Sequence, residues 1–206
     1  MTRRDFLRYT LEASGVVALA GACLIASTNG SYVRPPGAVH EERFFRRCVK
    51  CGVCVEVCPS NALDFVGLVS DVKNIGTPEL NISGGGCIAW KRPCMRCIEA
   101  CPTGALLKPV AIKDVRMGSG FVEARSCINC MMCFRVCPRK GAVLFPNPKG
   151  EPFKRIADIP LDICGKDSVL KPYIDNSLCV GCGLCAHICP PKCIKITPDR
   201  EVRMRA

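Results

Sequence analysis

The sequence predicts an α+β chain made of four copies of one short unit, grouped as two ferredoxin-like modules. Three observations predict it. Cysteine makes up 19 of 206 residues, far above ordinary usage, and most of it is grouped in runs. Three runs share the spacing C-x2-C-x2-C-x3-C-P: Cys48, Cys51, Cys54, Cys58-Pro59; Cys127, Cys130, Cys133, Cys137-Pro138; and Cys179, Cys182, Cys185, Cys189-Pro190. A further run keeps Cys94, Cys97 and Cys101-Pro102, with its first cysteine moved back to Cys87. Each run leads into a small-then-apolar step: Ala62-Leu63, Ala105-Leu106, Ala142-Val143 and Cys193-Ile194. Repetition of this kind marks one supersecondary unit used several times.

The spacing also names a chemistry. In bacterial iron–sulfur ferredoxins, three thiolates of such a run hold one cluster and the fourth ligates its neighbour. Three ligands so close in sequence can surround one cluster only if the backbone curls tightly, and Gly181 and Gly183 permit that in the last run. The proline after the fourth ligand fixes φ and offers no N–H, which turns the chain away. Structural zinc favours paired C-x2-C separated by a longer loop, without a trailing C-P. Cysteines so spaced along one tight loop make poor disulfide partners for one another. The expectation is therefore four 4Fe–4S clusters, with Cys87 completing the irregular run.

Composition agrees. Aromatic residues are scarce and Trp90 is the single tryptophan, so a conventional core is thin and the clusters act as staples. The formal charge of +11 suggests nucleic acid at first sight. Each thiolate-ligated cluster, however, contributes about −2, and no basic stripe with interleaved aromatics occurs. The basic residues offset the clusters and steer an acidic redox partner. No Ser–His–Asp set, paired carboxylates or phosphate-binding loop occurs, so the chain reads as an electron-transfer component and not an independent enzyme.

In chain order, residues 1–28 read as an export signal of the twin-arginine type or a membrane tether. Arg3-Arg4 precedes Phe6-Leu7, and the apolar stretch from Ala13 to Ala26 is rich in glycine and alanine. That stretch is short of the ~20 residues that span a bilayer. Clusters are assembled in the cytoplasm, and this route carries folded cargo. Ala20-Gly21-Ala22 is a candidate cleavage site, with Cys23 a small apolar residue just after it. Residues 29–43 read as a linker, because Pro35-Pro36-Gly37 suits neither helix nor central strand.

The four repeats follow at 44–70, 71–111, 112–150 and 151–206, the last with an insert ahead of it. A helical lead is expected over Glu41 to Arg47, and strands over Ala62–Val66, Leu106–Leu107, Gly120–Ala124, Ala142–Phe145 and Tyr173–Asp175. The basic tail from Arg200 is expected to fray. Strand, ligand loop, helix and strand, taken twice, make a dicluster module, so four runs make two modules. Sequential pairing joins the first run with the second and the third with the fourth. Nested pairing joins first with fourth around second with third. No strand is visible ahead of the first run and one is clear ahead of the fourth, which points to the nested form.

Several segments narrow the kinship. Arg34-Pro35-Pro36-Gly37-Ala38 followed by the Phe44 to Pro59 run, Asp114-Val115-Arg116-Met117-Gly118, and the twin-arginine start resemble the NapG/MauM group of ferredoxin-type proteins. That resemblance implies four 4Fe–4S clusters ligated by the sixteen run cysteines, Cys48 to Cys189 as named. It implies a place on the periplasmic face of the membrane. There, a polytopic membrane iron–sulfur protein that oxidises quinol feeds the chain, which serves a periplasmic oxidoreductase such as nitrate reductase. Alternatives are an accessory maturation factor of the methylamine dehydrogenase kind and the iron–sulfur subunit of an exported molybdoenzyme. Among residues left over, His187 reads as a packing or solvated histidine, Cys193 as a small buried residue, and Met131-Met132 as packing beside the third cluster. Cys164 reads equally as a free thiol or a cluster neighbour.

Overall fold

The computed structural model describes residues 30–68, 73–108, 115–147, 151–153, 155–160 and 170–198, with Ile112 and scattered positions among the first fifteen. The expected cleavage segment, Cys23, Cys164 and the basic tail lie outside the described residues. The chain divides into two compact units, residues 31–65 with 77–206, and residues 1–30 with 66–76. In the smaller unit, the described positions among the first fifteen are helical, and the amide of Gly76 closes a turn on the carbonyl of Val66 at 2.9 Å. Among the described residues no helix is long and apolar enough to cross a membrane.

The larger unit repeats one topology. Its first half begins with α1 (Glu41–Arg47), with two glutamates in its first turn and two arginines in its last, the arrangement the helix dipole favours. The buried Phe44 fixes it to the core. Then come α2 (Val53–Glu56), β1 (Leu63–Phe65), β2 (Pro78–Leu80) and α3 (Arg96–Glu99). β1 and β2 pair antiparallel, with Leu63 opposite Leu80 and Phe65 opposite Pro78. The second half runs β3 (Gly118–Val122), α4 (Met132–Val136), β4 (Val143–Leu144), β5 (Tyr173–Ile174), α5 (Leu184–Ile188) and β6 (Ile194–Pro198). β4 pairs with β5, and β3 with β6, both antiparallel. In each half, the strand after one cysteine run pairs with the strand before the next.

The strand ahead of the first run exists, but as a single bridge. Ala38 pairs antiparallel with Leu106, flanked by Val39 N–H to Ala105 O at 3.2 Å and Leu107 N–H to Gly37 O at 2.7 Å. It is the counterpart of β3–β6. Pro35-Pro36-Gly37-Ala38 is a turn closed by the Ala38 amide on Pro35 O, with Gly37 at φ +78°, the dihedral that favours glycine after proline. A Cβ there would stand 2.4 Å from Leu107 O. The expected linker over 29–43 is therefore corrected: Val33 to Val39 are buried, and the two prolines belong to a packed turn. α2 and α3 pack together in the first half, and α4 and α5 in the second, so each half buries its own apolar cluster around its own cysteines.

Candidate metal centres

In the first, third and last runs, the residues on both sides of the second cysteine have positive φ. They are Lys50 and Gly52, Asn129 and Met131, Gly181 and Gly183. This left-handed, cysteine, left-handed sequence curls three thiols inward. Glycine provides it at no steric cost and Asn129 at little; Lys50 and Met131 adopt it against their preference, and the sequence carries no sign of them. Asn129 is held there by its side chain, whose Nδ2 donates to Leu170 O at 2.6 Å. A short helix then begins one residue ahead of the third cysteine: α2 before Cys54, α3 before Cys97, α4 before Cys133 and α5 before Cys185. The fourth cysteine follows that helix and is carried away from its own run.

It arrives in the neighbouring pocket. Cys48, Cys51 and Cys54 line one cavity with Cys101. Cys87, Cys94 and Cys97 line a second with Cys58. Cys127, Cys130 and Cys133 line a third with Cys189. Cys179, Cys182 and Cys185 line a fourth with Cys137. The nested expectation is thereby corrected: the runs pair sequentially, first with second and third with fourth. The physical reason is the 38–106 bridge, which supplies the first module's missing strand in a form that two prolines disguise.

The four cavities are alike, each lined by three cysteines of one run and the fourth cysteine of its neighbour. Their walls are otherwise mostly apolar, with Phe44, Pro36, Val122 and Val143 among them. The described cysteines are all free thiols. Among the described residues no three His, Cys, Asp or Glu side chains converge closely enough to hold one metal ion. Four cysteine sulfurs around one cavity, too spread to hold a single ion, suit a multinuclear cluster, and this donor set fits iron–sulfur. Backbone donors already point at some of the sulfurs: Ala62 N–H to Cys58 Sγ at 3.3 Å and Gly181 N–H to Cys179 Sγ at 3.4 Å.

Burial raises several of the pocket thiols. Burial, reinforced by neighbouring cysteines, pushes Cys54 up to about 11 and Cys97 and Cys133 up to about 12. Burial does the same for Cys87 and Cys182, each to about 12, and raises Cys185 further. Burial also acts on Cys101, but hydrogen bonds from Leu106, Thr103 and Ala105 outweigh it and bring that thiol below its ordinary value.

The leftover residues find places. Cys193 is buried where the other repeats bury Ala62, Ala105 and Ala142, and its sulfur lies 3.4 Å from Cys189 Sγ. In every repeat this position directly follows a positive-φ residue, namely Asn61, Gly104, Gly141 and Lys192. His187 is half-buried and its Nδ1 donates to Ile82 O at 2.8 Å, which ties α5 to the segment after β2. Met131 is buried against Phe145 and Ile159, and Met132 is exposed. Arg34, which sequence reasoning used only as a family marker, is a buried structural hub.

A model of the 4Fe-4S dicluster domain matches residues 47–105 and again 126–193, the boundaries of the two sequential pairs. A second model of that description matches 90–143. The chain is 34% identical to the methylamine utilization ferredoxin-type protein MauM of Paracoccus denitrificans, over 92% of this chain and 83% of that protein. It is 31% identical to the ferredoxin-type protein NapG of Escherichia coli, over 95% of this chain and 85% of that one. It is also 31% identical to MauM of Methylorubrum extorquens, over 91% and 84%.

Proposed function

We infer the function from one premise: the chain belongs to the NapG and MauM ferredoxin-type proteins. It is an iron–sulfur electron-transfer protein. In our reading it holds four 4Fe–4S clusters: one on Cys48, Cys51, Cys54 and Cys101; one on Cys87, Cys94, Cys97 and Cys58; one on Cys127, Cys130, Cys133 and Cys189; and one on Cys179, Cys182, Cys185 and Cys137. The observation that carries this is the crossing of the fourth cysteine in all four pockets.

Each bound cluster would supply a one-electron redox centre. The chain's own groups do the rest. Sixteen thiolates would hold the iron between mostly apolar walls, and the N–H groups of Ala62 and Gly181, which donate to Cys58 and Cys179, would stabilise negative sulfur there. We place the protein on the periplasmic side of the membrane after twin-arginine export. There it takes electrons from quinol through a polytopic iron–sulfur partner and delivers them to a periplasmic reductase, of which nitrate reductase is the first candidate. The likeness to NapG supports this. The test is stopped-flow reoxidation of the dithionite-reduced protein by periplasmic nitrate reductase with nitrate. Reoxidation within the enzyme's turnover time is expected, and its absence overturns the relay.

The likeness to MauM favours a second reading, an accessory factor in the maturation of a periplasmic redox enzyme. It requires that the reduced protein react with the immature form of that enzyme and not with the mature one.

A further inference from the structure

The displaced Cys87 sits at the meeting of the two modules. Its backbone N–H donates to the carbonyl of Cys182 at 2.7 Å, so a residue of the second pocket is bonded to a residue of the fourth. Gly86 makes that approach possible. A Cβ there would stand 2.6 Å from the backbone nitrogen of Leu184 and 2.7 Å from its Cα, closer than any side chain tolerates. Val180, Cys182 and Leu184 pack with Cys87, Ile88 and Trp90 around the same spot. The His187 to Ile82 hydrogen bond lies across the same seam. With regular spacing the first cysteine of this run would stand at 91; the longer loop moves it out to the partner module.

Within each module the pockets adjoin. Cys58 of the first run lines the second pocket and Cys101 of the second run lines the first, and Cys137 and Cys189 are exchanged in the same way between the third and fourth. Exposure divides the pockets the same way. Cys51 and Cys130 are exposed, with exposed Val49 and Val53 near one and Met132 near the other. No cysteine of the second or fourth pocket is exposed: Cys97, Cys179, Cys182 and Cys185 are buried and Cys58, Cys87, Cys94 and Cys137 half-buried.

We propose that the four pockets stand in single file, in the order first, second, fourth, third, with the Cys87–Cys182 backbone hydrogen bond as the junction and with Cys51 and Cys130 marking the two ends where electrons enter and leave. This rests on the electron-transfer reading. A reduced one-electron carrier loses an electron at one end and an oxidised one-electron carrier gains it at the other, with no bond made or broken. The irregular spacing of the second run is then the device that joins two dicluster modules into one wire.

The test uses the loaded, full-length protein and no partner, so it stands apart from the identity of the reductase. Limited ferricyanide oxidation is followed by alkylation with iodoacetamide and mass spectrometry. The tetrads that contain Cys51 and Cys130 are expected to lose protection first, and those that contain Cys87 and Cys182 last. Equal or reversed loss overturns the order. Gly86→Val is then compared by EPR with the unaltered chain. With iron content retained, the fully reduced variant should lose the magnetic broadening that arises between modules. An unchanged spectrum at full iron content overturns the junction. If the variant does not assemble, the order of alkylation in the unaltered protein decides alone.

Discussion

Arg34 is 1% exposed, yet it carries a full charge into the first module. Its Nη2 pairs with Glu41 Oε1 at 2.7 Å, and its Nη1 donates to Thr77 Oγ1 and to Pro78 O at 2.7 and 2.9 Å. The guanidinium also lies 4.9 Å from the centre of the Phe44 ring. One side chain thus ties α1 to β2 through contacts that need a planar, multiply donating cation. Arg34→Ala would strand these partners at a cost of about 3 kcal/mol, the lower end for a broken buried pair, because Glu41 keeps 35% of its surface. The expected outcome is biphasic bleaching in urea, with the first module's half of the iron–sulfur absorbance lost early. Arg34→Lys should restore little of the difference. A single transition like that of the unaltered protein would contradict this role.

The buried thiols carry a second prediction at this scale. Cys97, Cys133 and Cys182 are pushed up to about 12, by burial first. Their protonated forms therefore dominate at neutral pH, and each ligand must release a proton as metal binds. Below the raised value, the thiolate fraction of such a group rises tenfold per pH unit. Cluster incorporation from ferrous iron and sulfide should accordingly improve from pH 7 to pH 9, with acid released as it proceeds. A yield independent of pH over that range would contradict it.

At the scale of elements, the cysteine runs are legible in the sequence and their partnership is not. Ligation depends on residue type and spacing along a short loop, and both are written in the chain. Pairing depends on which distant segments hydrogen-bond, and the deciding segment is the one bridge of Ala38 to Leu106, too short to show alternation and hidden behind Pro35-Pro36-Gly37. β2, at Pro78–Leu80, escaped notice for a related reason, since a proline opens it. The helical lead over Glu41–Arg47 was legible because its charges follow the dipole. The tight loops are half legible: Gly181 and Gly183 announce positive φ, whereas Lys50 and Met131 do not. The turn itself makes a prediction. Gly37→Ala keeps a strained φ and drives a methyl against Leu107 O, costing about 1–3 kcal/mol from the backbone alone. It should free the 38–106 bridge and raise hydrogen exchange at Val39 and Leu107, with Gly118–Val122 unaffected. Equal protection at Val39 and Leu107 in the variant would show that the bridge does not depend on the turn.

At the scale of the whole molecule, the crossing cysteines turn four local loops into two interlocked pairs, because no run can complete its own pocket. Cys189 follows α5 in the last run but lines the cavity of Cys127, Cys130 and Cys133. Cys137 does the reverse for Cys179, Cys182 and Cys185. The damage done by removing a fourth cysteine should therefore appear in the partner run and not in its own. In Cys189→Ser, prepared without oxygen and alkylated in the loaded state, Cys127, Cys130 and Cys133 should become reactive. Cys179, Cys182 and Cys185 should stay protected, as should the cysteines of the first module. Nested pairing gives another pattern, in which Cys189 serves the pocket of Cys48, Cys51 and Cys54, so those would be labelled. Reactivity confined to the last run itself would mean that each run closes on its own cluster. Of these three patterns only the first agrees with β3 pairing with β6 and β4 with β5, since those ladders bring the third and fourth runs face to face.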